Sequence, residues 1–237
     1  MAIFNLNKIK VISFDAFNTL LNDKNSHPIA CQLILDHFNK KDINVDEFHK
    51  EWDSLINDGW RNLNNKDQKF LTQKIFFLKA TKKLFNKYNL QGDPSYALKI
   101  WFDLLNDIEL FAEVPETLDK IKNKGYKIVI SSNIDNDFLY DKLKKFNIQN
   151  KFDHIFTSEN LQAYKPNKIF FNKILDNLNI NHNEIIHVGD SQFADIFGAK
   201  NSGIYAVYIN RKNRKIKENI PSPDLEINNL HELLNYL

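Results

Sequence analysis

The stretch KVISFDAFNTLL, at residues 10–21, determines how this chain is organised. It joins an apolar run, Val11–Phe14, to the carboxylate of Asp15, and a hydroxyl follows four residues later at Thr19. A short apolar run of this kind is typical of a buried strand in a parallel sheet. Ligands of open α/β sheets bind outside the carboxyl ends of the strands, which makes Asp15 a candidate for chemistry. An ordinary turn or helix N-cap is the alternative reason for an Asp here.

Two further predicted strands also end in polar residues. Tyr126–Ile130 is followed closely by Ser132, and Ile185–Val188 is followed by Asp190. Parallel strands that share one sheet present their carboxyl ends at the same edge, so Asp15, Ser132 and Asp190 are expected to converge. Three such strand ends favour a functional site over three unrelated turns.

The rest of the second half alternates between short apolar runs and helical patterns. Such alternation predicts right-handed βαβ units, and hence an α/β fold with a Rossmann-like, three-layer parallel sheet core. The basic run Arg211–Lys217 is expected to be a solvated loop, and Leu230–Leu237 a terminal helix. The further predicted strands are 152–156, 205–209 and 225–227, and the further predicted helices are 116–124, 137–146, 169–178 and 195–201.

Residues 27–108 have no strand pattern. Phe48, Trp52 and Leu55 follow one another at helical spacing, and Phe70 and Phe77 continue the pattern. We therefore predict an all-helical cap domain at residues 22–108, inserted into a core domain formed by residues 1–21 and 109–237. The aromatic side chains of the cap are expected to form its core.

Composition excludes several classes of partner. The net charge of +2 gives no support for nucleic-acid binding, and no apolar run is long enough for a membrane span. A single cysteine, Cys31, excludes an internal disulfide, and no signal-peptide pattern opens the sequence. These features predict a cytoplasmic protein.

The polar residues at the predicted sheet edge can be combined into a reaction. Asp15 can act as a nucleophile, and Thr19 and Ser132 can donate hydrogen bonds to the group being transferred. Lys165, in the loop before the last of these strands, can hold Asp15 ionised. Asp15 and Asp190 offer two hard oxygen ligands, which suit Mg²⁺.

Each of these residues has a structural alternative. Thr19 and Ser132 can be helix caps, and Lys165 an ordinary surface lysine. Asp195 can orient Lys165 or a water molecule, or it can be a helix-start residue favoured by the helix dipole.

Four motifs are spread along the chain: FDAFNTL at 14–20, ISSN at 130–133, YKP at 164–166, and HVGDS at 187–191 with Asp195, Gly198 and Ala199. They make the chain similar to the haloacid dehalogenase-like (HAD) superfamily, over nearly its whole length. The resemblance implies a cap of the four-helix type that closes over the site and selects substrates. It also implies that Mg²⁺ is bound by Asp15, Asp190 and the backbone carbonyl of Phe17, and we expect Phe17 and Asn133 to contact substrate.

The chain departs from this family pattern at two positions. Asn18 stands where the family often has Gly, and Asn tolerates the positive φ of such a turn. Phe17 stands where family phosphatases carry a second Asp, which protonates the leaving alcohol and then activates water. Phe cannot transfer protons. Dehalogenases of the superfamily carry an aromatic residue at this position, but Gly189 and Asp190 are the metal-binding form of the fourth motif.

Three functions therefore stay open. The first is a Mg²⁺-dependent phosphohydrolase with an altered acid/base step, acting on a small phosphorylated metabolite. The second is a 2-haloacid dehalogenase, against which stands the lack of a convincing cap arginine after the first motif. The third is a HAD fold without catalysis. His27, Arg61 and Lys74 are the cap residues considered as substrate contacts, and surface positions are expected for all three.

Overall fold

The computed structural model of the protein describes residues 4–24, 26–63 and 69–237, and for residues 60–63 it describes the backbone only. The chain divides into two compact units: Met1–Asn22 with Leu110–Leu237, and Asp23–Glu109. These boundaries lie one residue from those predicted from the sequence. We call the first the core unit and the second the helical insert.

Six strands of the core unit form one parallel sheet in the order β5-β4-β1-β6-β7-β8, which confirms the predicted fold class. Two short strands, β2 and β3, pair separately at the chain's transitions between the units. The strands are β1 Val11–Phe14, β2 Leu21–Asn22, β3 Glu109–Leu110, β4 Lys127–Ser132, β5 His154–Thr157, β6 Ile185–Gly189, β7 Tyr205–Ile209 and β8 Leu225–Ile227.

The strand order places Asp15 at the point where the order in which the chain adds strands reverses. From β1 the chain moves to one side through β4 and β5, and then crosses back to build β6, β7 and β8 on the other. Phe14 pairs with Ile130 of β4 and with Val188 of β6, so the three strands end close together. This is the position where open α/β sheets bind their ligands.

Helices follow the strands in the core unit and make up almost all of the insert. They are α1 Ser26–His37, α2 Val45–Leu63, α3 Gln73–Lys87, α4 Pro94–Leu104, α5 Val114–Asn123, α6 Asn136–Lys145, α7 Ser158–Leu161, α8 Lys168–Leu178 and α9 Gly198–Asn201. A π-helical turn, Gln192–Phe197, leads into α9. In the described part of the chain, no helix is long and apolar enough to cross a membrane.

The insert is a four-helix arrangement in which each helix packs against two others. α1 contacts α2 and α4, and α3 contacts α2 and α4. Its centre is aromatic, with Phe48 and Trp52 fully buried. Asp93 caps α4 by accepting a hydrogen bond from the Ser95 amide at 2.9 Å, ahead of Pro94 at the first helical position.

Two expectations about local structure are wrong. Phe70 precedes α3, which begins at Gln73. Residues 212–217 are exposed, as expected of a solvated loop, but Arg211 is not: its guanidinium donates to the Thr19 carbonyl at 2.8 Å, pairs with Glu113 at 2.7 Å, and lies over the Phe111 ring. The predicted terminal helix is present as a 3₁₀ helix, Leu230–Asn235, in which Leu230 and Leu233 are buried three residues apart.

Candidate active site

Asp15 is buried at the end of the central strand, and one of its two carboxylate oxygens is held by donors. Its Oδ1 accepts hydrogen bonds from Lys165 Nζ at 2.7 Å and from Ser132 Oγ at 3.1 Å. Its backbone amide donates to the Val188 carbonyl of β6 at 2.9 Å, which fixes the residue to the sheet. Among the described residues, no donor contacts Oδ2, so this oxygen is available to react.

Lys165 links Asp15 to a second buried carboxylate. Its ammonium donates to Asp15, to the Ser131 carbonyl at 2.8 Å and to Asp195 Oδ1 at 2.6 Å, which uses all three protons. Burial alone would lower the pKa of Lys165, but the charges of Asp15 and Asp195 outweigh burial and raise it. Lys165 is therefore a fixed positive charge, and Asp195 orients it, as one of the two sequence alternatives proposed.

A hydrogen-bonded layer behind Asp195 was not predicted from the sequence. His187 Nε2 lies 3.1 Å from Asp195 Oδ1, and its Nδ1 lies 3.1 Å from Ser13 Oγ and 3.2 Å from Ser131 Oγ. Burial lowers the pKa of His187, although its hydrogen bond to Asp195 opposes this. The sequence signal was available, because His187 interrupts an otherwise apolar strand.

Gly189 permits the close approach of Asp195 to this strand end. A Cβ at position 189 would lie 2.3 Å from Asp195 Cγ, which no side chain can tolerate. Asp195 Oδ2 also accepts the Ser191 amide at 2.9 Å, so both of its oxygens are engaged. The glycine of the Gly-Asp-Ser sequence in the fourth motif therefore allows the end of β6 to pack against the Asp195 carboxylate.

Three carboxylates, those of Asp15, Asp190 and Asp195, each offer an oxygen within 4.8 Å of the others. Burial raises the pKa of Asp190 well above its usual value, and the charges of Asp15 and Asp195 raise it further. Burial also raises the pKa of Asp15, even though Lys165 opposes it. Burial and the charge of Asp195 therefore act against the stabilisation of the charged form of Asp15 by Lys165. The cluster has more negative charge than its one lysine compensates.

The structure places the other predicted site residues in different surroundings. Phe17 is half-buried, with its ring centroid 5.8 Å from that of Phe138, and Asn18 has the predicted positive φ of 55°. Thr19 is fully buried, and its hydroxyl has no hydrogen-bond partner among the described residues. Asn133 exchanges two hydrogen bonds with the Lys165 backbone, at 2.7 and 2.9 Å, and so positions that loop. Substrate contacts for Asn133 and Thr19 stay predictions.

A pocket of about 200 Å³ opens beside Asp190 within the core unit, and the sequence did not predict its basic lining. Arg214, on the loop after β7, is exposed there and lies near enough to Asp190 to lower its pKa by charge. Side chains of β7 and of the loop after it line this pocket, and the basic ones among them suit it to an anionic group. The lining residues are Asn18, Asn22, Phe111, Asp190, Tyr208, Ile209, Asn210, Arg211, Lys212 and Arg214.

The cap residues considered from the sequence are not assembled into a site by the described contacts. His27 is largely buried and paired with Asp53, so its predicted surface position is wrong. Lys74, the second residue of α3, is exposed, as expected. The side chain of Arg61 lies outside the described residues.

Similarity to known proteins extends over most of the chain. A family model described as "Haloacid dehalogenase-like hydrolase" matches residues 12–209. The haloacetate dehalogenase H-2 of Moraxella sp. (strain B) is 25% identical over 94% of this chain and 95% of its own. The pyrimidine 5′-nucleotidase PynA of Streptococcus pneumoniae is 25% identical over 85% and 84%. Other curated relatives match over about half of their own length, such as an (S)-2-haloacid dehalogenase of Burkholderia cepacia, at 54%.

Solved structures share the fold across both units. The HAD-hydrolase YfnB of Bacillus subtilis, solved bound to magnesium, superposes with a TM-score of 0.77 at 20% identity, covering 96% of this chain and 98% of its own. A parallel sheet with a buried Asp–Lys–Asp cluster at the end of its central strand defines an α/β protein with a charged site at the sheet edge. The chain belongs to the haloacid dehalogenase-like hydrolase family. Both phosphatases and dehalogenases occur among its relatives.

Proposed function

We propose that this protein is a Mg²⁺-dependent phosphohydrolase that uses Asp15 as its nucleophile and acts on a small phosphorylated metabolite. The observation that carries the proposal is the carboxylate of Asp190, which offers an oxygen within 4.8 Å of Asp15 at the same sheet edge. A reaction that needs only Asp15 has no use for a second partly buried carboxylate beside it. On the composition argument given above, we also propose that the protein is cytoplasmic.

The donor set at this edge fits a magnesium ion. Mg²⁺ prefers oxygen ligands and is commonly held by one or two carboxylates together with water and substrate phosphate. Asp15 and Asp190 would hold it, with the Phe17 carbonyl as a third ligand. Asp195 is the poorer candidate because Lys165, His187 and the Ser191 amide already engage its oxygens. When bound, the ion would offset the excess negative charge and polarise the phosphoryl group.

The residues of the chain support a two-step displacement. Asp15 Oδ2 attacks phosphorus while Lys165 and Ser132 keep Oδ1 oriented, and the bond to the leaving oxygen breaks. Water then attacks the aspartyl phosphate, releases inorganic phosphate and restores the carboxylate. The leaving oxygen needs a proton in the first step and the attacking water loses one in the second. Phe17 can do neither, so the reaction favours leaving groups that depart without protonation.

The basic side of the Asp190 pocket agrees with an anionic substrate. Arg214 is exposed at this pocket, and its guanidinium has no hydrogen-bond or ion-pair partner among the described residues. Arginine matches the geometry of phosphate and carboxylate groups through paired hydrogen bonds. We therefore favour a substrate whose anionic groups extend towards this loop.

A 2-haloacid dehalogenase is the second candidate. Phe17 favours it, because halide leaves without a proton, and several curated relatives carry such activities in their names. In this reaction Asp15 would attack carbon, and Asp190 would have no role. The two candidates therefore make opposite predictions for Asp190.

The deciding experiment is an activity screen of acyl phosphates, aryl phosphates, alkyl phosphates and 2-haloacids, with Mg²⁺ and with EDTA. We expect phosphate release that requires Mg²⁺ and is lost in both Asp15→Asn and Asp190→Asn. Halide release that persists in EDTA and in Asp190→Asn would show the dehalogenase instead. Failure on every substrate, with the protein folded, would contradict both and favour a HAD fold without catalysis.

A further inference from the structure

A second cluster of metal-ligating side chains lies in the helical insert, away from the carboxylates of the core unit. His27 of α1 places Nδ1 2.9 Å from Asp53 Oδ1, and His49 of α2 places Nε2 3.3 Å from Asp53 Oδ2. One ligand atom from each residue lies within 4.8 Å of the other two. We propose that His27, His49 and Asp53 bind one transition-metal ion of the Zn²⁺ class.

The packing of His27 directs one particular nitrogen towards the cluster. Its ring lies 4.3 Å from the centroid of Trp101 and 4.6 Å from that of Trp52, and both contacts constrain its orientation. Nε2 is buried among these rings and has no hydrogen-bond partner in the described part of the chain. Nδ1 is therefore the nitrogen that His27 can offer, and it is the one that faces Asp53.

His49 and Asp53 are brought together by helical geometry. They are four residues apart on α2, which places their side chains on the same face one turn apart. The His49 ring centroid lies 4.9 Å from that of His27, so α1 and α2 supply the three ligands to one point. An ion bound there would join the first two helices of the insert.

The donor set indicates which ion would bind. Two imidazole nitrogens and one carboxylate suit Zn²⁺ and neighbouring transition metals, whereas Mg²⁺ requires oxygen ligands. Bonds of about 2.0–2.1 Å in a tetrahedron separate ligand atoms by roughly 3.3 Å, close to the distances observed here. Asp53 is 46% exposed, which leaves access from solvent and room for a water ligand.

The alternative is a hydrogen-bonded network without metal, in which both imidazoles donate to Asp53. It accounts for the same three residues, and the two possibilities differ in a direct measurement. The test uses the full chain carrying Asp190→Asn, so that the core carboxylates do not contribute a metal site. Co²⁺ and Zn²⁺ are titrated, and binding is followed by visible Co²⁺ absorption, by calorimetry and by the shift in thermal unfolding temperature.

The variant to compare is His49→Ala, because the side chain of His49 is more exposed than that of His27. The matched control is His37→Ala, an exposed histidine of the same insert outside the cluster. In the parent we expect one site with the intense absorption bands of four- or five-coordinate Co²⁺, and a rise in unfolding temperature on adding Zn²⁺. In His49→Ala we expect metal binding at least about 100-fold weaker, since removing a ligand should cost no less than removing one of its supporting groups.

His37→Ala should bind as the parent does, and excess Mg²⁺ should not displace Zn²⁺. The proposal is wrong if the parent shows no Zn²⁺ binding at micromolar concentrations, or if His49→Ala binds as tightly as His37→Ala. A His49→Ala variant that is folded, by circular dichroism, but is destabilised to the same extent with and without Zn²⁺ would establish the hydrogen-bonded network instead.

Discussion

At the level of single residues, Phe17 determines which phosphate esters we expect the protein to hydrolyse. A positioned general acid contributes about 10²–10⁴-fold, and Phe cannot supply it. The enzyme should prefer acyl phosphates and p-nitrophenyl phosphate over alkyl phosphates. Phe17→Asp should raise alkyl-phosphate kcat/KM towards that range and flatten the dependence on leaving-group pKa, measured in steady-state assays with Mg²⁺.

The double variant Asp15→Asn with Phe17→Asp is the control and should be inactive, because the new carboxylate cannot replace the nucleophile. Removing the Phe17 ring also breaks its contact with Phe138, so each variant should first be checked for native circular dichroism. Equal rates of alkyl and activated esters in the parent protein, with chemistry rate-limiting, would show that another group donates the proton.

Lys165 supports a second prediction at this scale, for stability. Lys165→Met would leave Asp15 and Asp195 buried without their common cation. Breaking a buried ion pair in this way costs about 3–5 kcal/mol, and we expect a loss of that size in urea unfolding at neutral pH. Lys200 pairs with Asp224 at 2.6 Å but is partly exposed, so Lys200→Met should cost about 1 kcal/mol or less. Similar losses for the two variants would contradict this account.

At the level of elements, the sequence predicted those features that depend on local pattern. The strands Tyr205–Ile209 and Leu225–Ile227 were predicted with their observed bounds, because Gly203 ends the preceding helix and Pro223 precedes the second apolar segment. The convergence of Asp15, Ser132 and Asp190 followed from the rule that parallel strands share an edge. Asp195 was predicted to orient Lys165 or a water molecule, or to begin a helix, and the contact with Lys165 is observed.

The features that the sequence did not predict depend on contacts between distant residues. The sequence predicted Arg211 to be part of a solvated basic loop, but Glu113 and the Thr19 carbonyl, from two other segments, hold it in place. The sequence showed His187 only as one residue of a motif, whereas its hydrogen bonds to Ser13 and Ser131 connect three strands. The sequence predicted a terminal helix but not its 3₁₀ form, in which Leu230 and Leu233 are buried three residues apart.

Glu184 allows a test at the scale of one turn. It lies just before β6. Its carboxylate accepts a hydrogen bond from the Asn181 amide at 2.8 Å and forms an ion pair with Lys10. These contacts lower the pKa of Glu184 from 4.5 to about 2. The charged form is therefore favoured in the folded protein, and its contribution to stability is present above pH 4.5 and is lost as the pH falls towards 2.

We expect Glu184→Gln to be less stable than the parent at pH 7, and the difference between their urea midpoints to narrow below pH 4.5. Gln keeps an oxygen that can accept the Asn181 amide, so the variant tests charge rather than shape. A difference that is the same at pH 7 and pH 3.5 would assign the effect to the hydrogen bond alone.

At the scale of the whole molecule, the candidate active site lies in one of the two units. The carboxylates of Asp15, Asp190 and Asp195 belong to the core unit together with Lys165 and His187, and the edge of the sheet brings them together. The helical insert holds all three tryptophans and the only cysteine of the chain. Tryptophan fluorescence and thiol reactivity therefore report on the insert, while Mg²⁺ binding would report on the core unit.

Cys31 gives a prediction for the insert. Its thiol is fully buried in α1, and burial, followed by the charge of Asp53, raises its pKa to about 12. The thiolate is the reactive form, so labelling by DTNB at pH 8 requires opening of the insert. We expect negligible labelling of the native protein and, in a urea series, a labelling midpoint that coincides with the change in tryptophan fluorescence. Asp53→Asn should leave labelling of the native protein negligible, because burial is the larger cause of the raised pKa. Rapid labelling without urea would show that α1 opens locally, since the thiol is inaccessible in the folded insert.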